Sequence, residues 1–126
     1  MPGDAPAQGL TDFAQGVVEV VGPDLERSLA FYQRLGFTLV RRTGGFAVVQ
    51  WRGQRLFLAE NTDAPTSARW SSLRLLVDDV DALHAAFVAA GIRVVHGLGD
   101  RAYGLREFAV RDPNGFDLRF VQPLPP

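Results

Sequence analysis
The sequence predicts an α+β fold made of two tandem β-α-β-β-β repeats, and three observations carry that prediction. The first is the closing segment, residues 105–122. There Phe108 and Val110 alternate with Ala109 and Arg111, and Leu118 and Phe120 alternate with Arg119 and Val121. This is the period of two expected of paired strands. Between the arms, Asp112-Pro113-Asn114-Gly115 supplies a proline of fixed φ and a glycine that can take a positive one, so the chain can reverse. The second observation is a pair of apolar helical stripes, Leu25, Leu29, Tyr32, Leu35 and Val80, Leu83, Phe87, Ala90, each opened by an aspartate and closed by a glycine. The third is spacing: Asp24 and Asp79, Gly36 and Gly91, and Phe37 and Ile92 are each 55 positions apart. Two α+β segments could resemble each other by chance, but here caps, stops and strand order all agree.

In chain order, residues 1–12 are rich in Pro, Gly, Ala and polar groups and are expected to form a loose lead-in. The first repeat takes residues 13–60. Residues 15–21 (QGVVEVV) are apolar and β-branched, suiting a buried strand that Gly22-Pro23 ends. Asp24 caps the first helix, with Arg27 and Ser28 in its first turn, and Gly36 stops it. Residues 37–42, 46–51 and 55–60 read as strands joined by Thr43-Gly44-Gly45 and Arg52-Gly53-Gln54. Residues 61–69 are polar, contain Pro65 and read as a linker. The second repeat, residues 70–123, has a strand at 70–77, the second helix, a strand at 92–95 and the closing hairpin. Gly53 and Gly115 are 62 positions apart rather than 55, which places a longer loop at 96–104.

With 126 residues the chain forms one domain able to bury a core without staples. Its net charge of −1, without basic or acidic blocks, makes nucleic acid a poor partner. The absence of cysteine excludes disulfides, thiolate metal sites and a cysteine nucleophile. No apolar run reaches the roughly 18 residues of a membrane span, and residues 1–13 lack a basic stretch followed by an apolar one, so a cytoplasmic location is expected.

Three segments, DLERSLAFYQRLGF (24–37), VDDVDALHAAFVAAGI (77–92) and REFAVRDPNG (106–115), resemble the vicinal oxygen chelate superfamily of glyoxalases, extradiol dioxygenases and bleomycin resistance proteins. Within it the chain is most similar to bleomycin resistance proteins. Phe46 opens the third strand, Leu56-Phe57-Leu58 form the fourth, and PTSARW ends in Trp70 before the fifth. Tyr103-Gly104-Leu105-Arg106-Glu107-Phe108 resembles the family's W-G-R-E-F segment, with one residue inserted and Tyr in place of Trp. A position that is usually aromatic in the drug-binding members is Arg41 here. The resemblance implies a curved mixed sheet with a concave cleft and a homodimer with clefts formed between subunits.

Superfamily enzymes hold a divalent metal with His, Gln or Glu from the first and last strands of each repeat. The matching positions are Gly16 or Val17, Phe57, Ser71 or Ser72, and Arg119, none a good ligand, so no family-type metal site and no cofactor are expected. Of the two histidines, His84 is expected on the solvated flank of the second helix. His96, opening the long loop, is read as loop surface, with ligand contact as the alternative. Glu60 is expected in solvent. No serine has a histidine at motif spacing, and residues 97–100 (GLGD) lack the context of a phosphate loop. Glu19 and Arg74, also 55 apart in apolar strands, are read either as a cross-strand ion pair or as pocket lining.

What remains is a set of large flat side chains. Phe46, Phe57, Trp70 and Tyr103, with Gly104, Arg106 and Arg119, form the candidate ligand-binding set. Phe46 and Phe57 could equally be core, Trp51 is read as a strand-edge or interface residue, and Arg106 and Arg119 could simply be the wet face of their strands. The expected function is non-enzymatic sequestration of a bleomycin-type or other planar or glycopeptide antibiotic, possibly metal-loaded. The alternatives are a metal-dependent glyoxalase- or dioxygenase-type enzyme with displaced ligands, or an accessory domain whose cleft is vestigial.

Overall fold
The computed structural model describes residues 16–126; the expected lead-in, residues 1–12, lies outside them. The chain divides into two compact units, Met1–Pro65 and Thr66–Pro126. Unit 1 holds β1 (Val18–Gly22), α1 (Leu25–Leu35), β2 (Thr38–Thr43), β3 (Phe46–Trp51) and β4 (Gln54–Glu60). Unit 2 holds β5 (Ser72–Leu76), α2 (Val80–Ala89), β6 (Val94–Asp100), β7 (Leu105–Arg111) and β8 (Asp117–Pro123). Each unit has a four-stranded mixed sheet, ordered β1-β4-β3-β2 and β5-β8-β7-β6. β1 and β5 run parallel to the last strand of their own unit, and the other pairings are antiparallel.

The two helices are delimited by the same devices. Asp24 Oδ1 accepts from the Arg27 amide at 3.2 Å and Asp79 Oδ1 from the Ala82 amide at 3.0 Å. At the other end, Phe37 N donates to Tyr32 O and Ile92 N to Phe87 O, both at 3.0 Å, around Gly36 (φ 106°) and Gly91 (φ 75°). These are left-handed caps that satisfy carbonyls the helix leaves open. A third device comes from far along the chain. Glu60 Oε1 accepts from the Leu25 amide and Gln122 Oε1 from the Val80 amide, each at 3.0 Å. Glu60 therefore does more than sit in solvent: the last residue of β4 tethers the first turn of α1.

In unit 1, α1 buries Leu25, Ser28, Leu29, Tyr32 and Leu35. Tyr32 meets Phe37 edge-on at 5.2 Å, and Phe37 packs on Trp51 at 6.2 Å. Trp51 is thus a core residue and not the strand-edge residue expected from its neighbouring turn. That turn takes its positive φ at Arg52 (53°), whose guanidinium lies 4.4 Å over the indole. In unit 2, Phe87 meets Phe108 at 5.7 Å and Phe120 at 5.2 Å, with Phe108 stacked on Phe120. His84 stands half-buried at the edge of this core, its ring 5.1 Å from that of Phe108. The solvated flank expected for it is corrected because Val80, His84 and Phe87 fall four and three residues apart on one helical face.

Two strand boundaries also differ from expectation. β6 extends through residues 96–100, read above as loop, with register shifts on either side of His96. The extra residues at these shifts break the period of two, and the pairing to β7 is carried by backbone groups that need no apolar alternation. β5 begins at Ser72, so Trp70 precedes the strand instead of opening it. Among the described residues, no helix is long and apolar enough to cross a membrane.

Candidate functional site
Strand alternation gives each sheet a face opposite its helix. In unit 2, Phe108 and Phe120 are register partners and both touch Phe87 of α2, so they define the helix face. The residues between them, Glu107, Ala109 and Arg111 on β7 with Asp117, Arg119 and Val121 on β8, point the other way. β5 adds Ser72 and Arg74, partnered with Asp117 and Arg119.

Glu107 is the centre of this second face and has no exposed surface. Its carboxylate accepts from the Tyr103 hydroxyl at 2.5 Å, Arg74 Nε at 3.1 Å and Arg119 Nη1 at 3.0 Å, and Arg101 Nε stands 3.8 Å away. Burial pushes the Glu107 carboxyl up, but the hydrogen bonds from Tyr103 and Arg74 and the charges of Arg74 and Arg119 outweigh it. The net shift is below the usual carboxylate range. The same hydrogen bond to Glu107, then that to Tyr103, raises Arg74, whose guanidinium also lies 5.3 Å over the Tyr103 ring. Tyr103 is held by its turn: Arg101 N donates to Leu105 O, Gly104 N to Arg101 O, and Gly104 takes φ 89°.

A second cluster lies on the same face. Arg111 grips Asp117 with Nε at 2.6 Å and Nη2 at 3.1 Å, an arrangement that raises the arginine, and His96 Nε2 stands 3.7 Å from Asp117 Oδ2. Together with Trp70, Ser72 and Arg119 these residues line a cavity of about 350 Å³. Trp70 is fully exposed, at 101% of its reference area, and has a left-handed backbone with φ 57°. Its neighbours are pinned by the hairpin turn: Arg69 N donates to Gly115 O, Arg69 Nε to Asn114 O, and Asp117 N to Ser71 O. The turn itself is set by buried Asp112, whose Oδ1 accepts from the amides of Asn114 and Phe116.

In unit 1 the open face carries Phe46 and Phe57, edge-to-face at 5.0 Å, both partly exposed. The Arg41 guanidinium lies 5.5 Å over Phe46, and Glu19 is the register partner of Phe57.

The structure therefore gathers some of the expected residues and separates others. Phe46 and Phe57 touch; Tyr103 and Arg119 meet on Glu107; Trp70 and Arg119 share a cavity. Arg106 leaves the set. It alternates onto the helix face, where Nη2 and Nε bind Asp81 of α2 at 2.7 and 3.0 Å and Nη1 binds Asp100. These bonds raise the guanidinium and lower Asp81. Gly104 contributes turn geometry, with nothing within 4 Å of where its Cβ would stand. Arg74 finds its carboxylate in Glu107, where the sequence reading offers Glu19. Glu107, Arg111 and Asp117 have no site role in that reading. Their signal is a lone acid in an apolar strand and an Arg/Asp pair flanking the turn.

The metal implied by the fold's enzymes has no fitting donor set. Among the described residues, no three His, Cys, Asp or Glu side chains converge. At the matching positions, Phe57 offers no donor and Arg119 is a cation already bound to Glu107.

The profile of the glyoxalase/bleomycin resistance protein/dioxygenase superfamily matches residues 14–120. A bleomycin resistance protein of Geobacillus stearothermophilus is 30% identical over 119 residues, covering 80% of this chain and 90% of that protein. The crystal structure of a bleomycin-binding protein complexed with bleomycin superposes with a TM-score of 0.76 at 27% identity, covering 87% of this chain and 98% of that one. A bleomycin resistance determinant encoded on the transposon Tn5 gives 0.77 at 26% identity, covering 88% and 98%.

Proposed function
We propose that this chain, which belongs to the glyoxalase/bleomycin resistance protein/dioxygenase superfamily, captures a bleomycin-type or other planar antibiotic without chemical conversion. The observation that carries the reading is the cavity of unit 2, lined by the fully exposed Trp70 and by Arg111 and Arg119. Aromatic and cationic side chains of this kind recognise flat π-systems. Likeness to proteins named for bleomycin resistance or bleomycin binding supports the same class. Phe46 and Phe57 offer a second aromatic surface in unit 1.

A homodimer is part of the proposal, in keeping with the family likeness; light scattering of the purified protein tests it. The ligand is tested by isothermal titration of chelator-treated protein with copper-loaded bleomycin. The expected result is saturable binding at one drug per subunit, lost in Trp70→Ala with folding intact. No heat and no shift in melting temperature would remove bleomycin as the ligand. Stoichiometric metal in protein purified without chelator would instead favour a metal-dependent isomerase or dioxygenase.

A further inference from the structure
We propose that Glu107, which lies outside the unit 2 cavity, is its positioning residue: it fixes Arg119 in the cavity wall and ties that wall to the Tyr103 turn. This rests on the preceding reading in taking the cavity for the ligand site. It adds two residues, Glu107 and Tyr103, that act on the ligand without touching it.

Of the four side chains gathered on Glu107, Arg119 alone also lines the cavity; Tyr103, Arg74 and Arg101 do not. Arg119 is therefore the link between the two clusters of this face.

Its neighbours in the sheet decide where it can go. Across β7 it faces Ala109, which offers no polar group, and its diagonal neighbours there are Glu107 and Arg111. Across β5 it faces Arg74, a like charge. Arg111 is already spent on Asp117 through two hydrogen bonds. Glu107 supplies the opposite charge, accepting from Arg119 Nη1 on Oε2 at 3.0 Å and from Arg74 Nε on Oε1 at 3.1 Å. One carboxylate thus reconciles two arginines that are direct register partners. The other carboxylate that β5, β7 and β8 turn to this face is Asp117, two residues before Arg119 and in the same cavity wall. Without Glu107, Arg119 would turn to Asp117 and redraw the wall.

Glu107 is itself held. The Tyr103 hydroxyl donates to the same Oε2 at 2.5 Å, and the Arg74 guanidinium covers the tyrosine ring. Buried ion pairs are weak evidence for added stability and are better attested as devices that fix one arrangement. Having no exposed surface, this carboxylate can act on the cavity through position and not through contact.

Two measurements test this, one without ligand and one with it. The first is side-chain NMR of the arginines in the ligand-free protein, with the Arg119 signals identified by their loss in Arg119→Lys. A guanidinium held at one Nη rotates slowly, so its Nη signals should be separate in the wild type. They should merge in Glu107→Gln. They should shift in Tyr103→Phe, which removes one hydroxyl and carries the test if Glu107→Gln does not fold. The second is titration with copper-loaded bleomycin. Glu107→Gln should weaken binding roughly 3- to 30-fold at unchanged stoichiometry, with no further effect in an Arg119→Gln background. A merely structural role would give additive losses. Arg119 signals that are the same in the wild type and the folded variants would overturn the proposal, whether or not bleomycin binds. So would additive losses, or bleomycin binding indifferent to Glu107→Gln, both of which leave antibiotic capture standing. Arg119 signals that depend on Glu107, without bleomycin binding, would support the positioning role and remove bleomycin alone.

Discussion
Replacing Gly115 by alanine tests how the hairpin turn builds the site. A Cβ at this position would lie 2.0 Å from the Ser67 carbonyl oxygen and 2.5 Å from its carbon, at a backbone φ of 83°. Both contacts are with backbone, so no side-chain rotation relieves them. A left-handed alanine costs roughly 1–2 kcal/mol. Moving the 67–69 segment away breaks the bonds from Arg69 to Gly115 O and Asn114 O, at about 1 kcal/mol each. The total is about 3–4 kcal/mol, or a fall in melting temperature on the order of 10 °C for a chain of this size. Gly44→Ala is the internal control, because its φ is 58° but nothing lies within 4 Å of its Cβ. It should lose only the backbone part, about 1–2 kcal/mol. Urea unfolding of both variants measures the difference. If Gly115→Ala were no more destabilising than Gly44→Ala, the turn would not be packed against residues 67–68, and the account of how Trp70 is positioned would fail.

Glu107→Gln should lower stability by about 1–3 kcal/mol in urea titrations at neutral pH, less than for a buried pair because its arginines can reach water. The sign with pH follows from the lowered carboxyl. The wild-type contribution is present above the ordinary glutamate range and disappears as pH falls through the folded-state value below it, so the gap between the two proteins should close in acid. A gap that widened on acidification would contradict the ion-pair assignment. The two tryptophans should behave oppositely. Trp51→Ala, in the core of unit 1, should cost roughly 3–5 kcal/mol, and Trp70→Gly should be neutral or stabilising by up to about 1 kcal/mol. Thermal melts of both variants read this out, and a destabilised Trp70→Gly would mean the indole has a structural role. Glu60→Ala should cost about 1 kcal/mol through the lost bond to the Leu25 amide, largely restored by Glu60→Gln; unfolding that leaves all three proteins alike would remove Glu60 as a cap.

Local chemistry was enough to determine much of this protein from sequence. Asp24, Gly36, Asp79 and Gly91 delimit the helices through contacts within a few residues, and the alternation in residues 105–122 settles which side chains share a face. The two repeats and the family likeness follow from those short-range signals. Other features depend on residues remote in sequence. Glu60 caps a helix 35 residues earlier, and Arg74 finds Glu107 33 residues on. Arg106 looks equivalent to Arg119 in the sequence, yet alternation along β7 turns it toward Asp81 on the helix face, while Arg119 on β8 faces Glu107. Trp70 illustrates the same limit, since its exposure and left-handed backbone are imposed by the turn at 112–115. Periodicity shows that a side chain leaves the core, but only the pairing of strands decides which charges it meets there, because ion pairs form between neighbours in space.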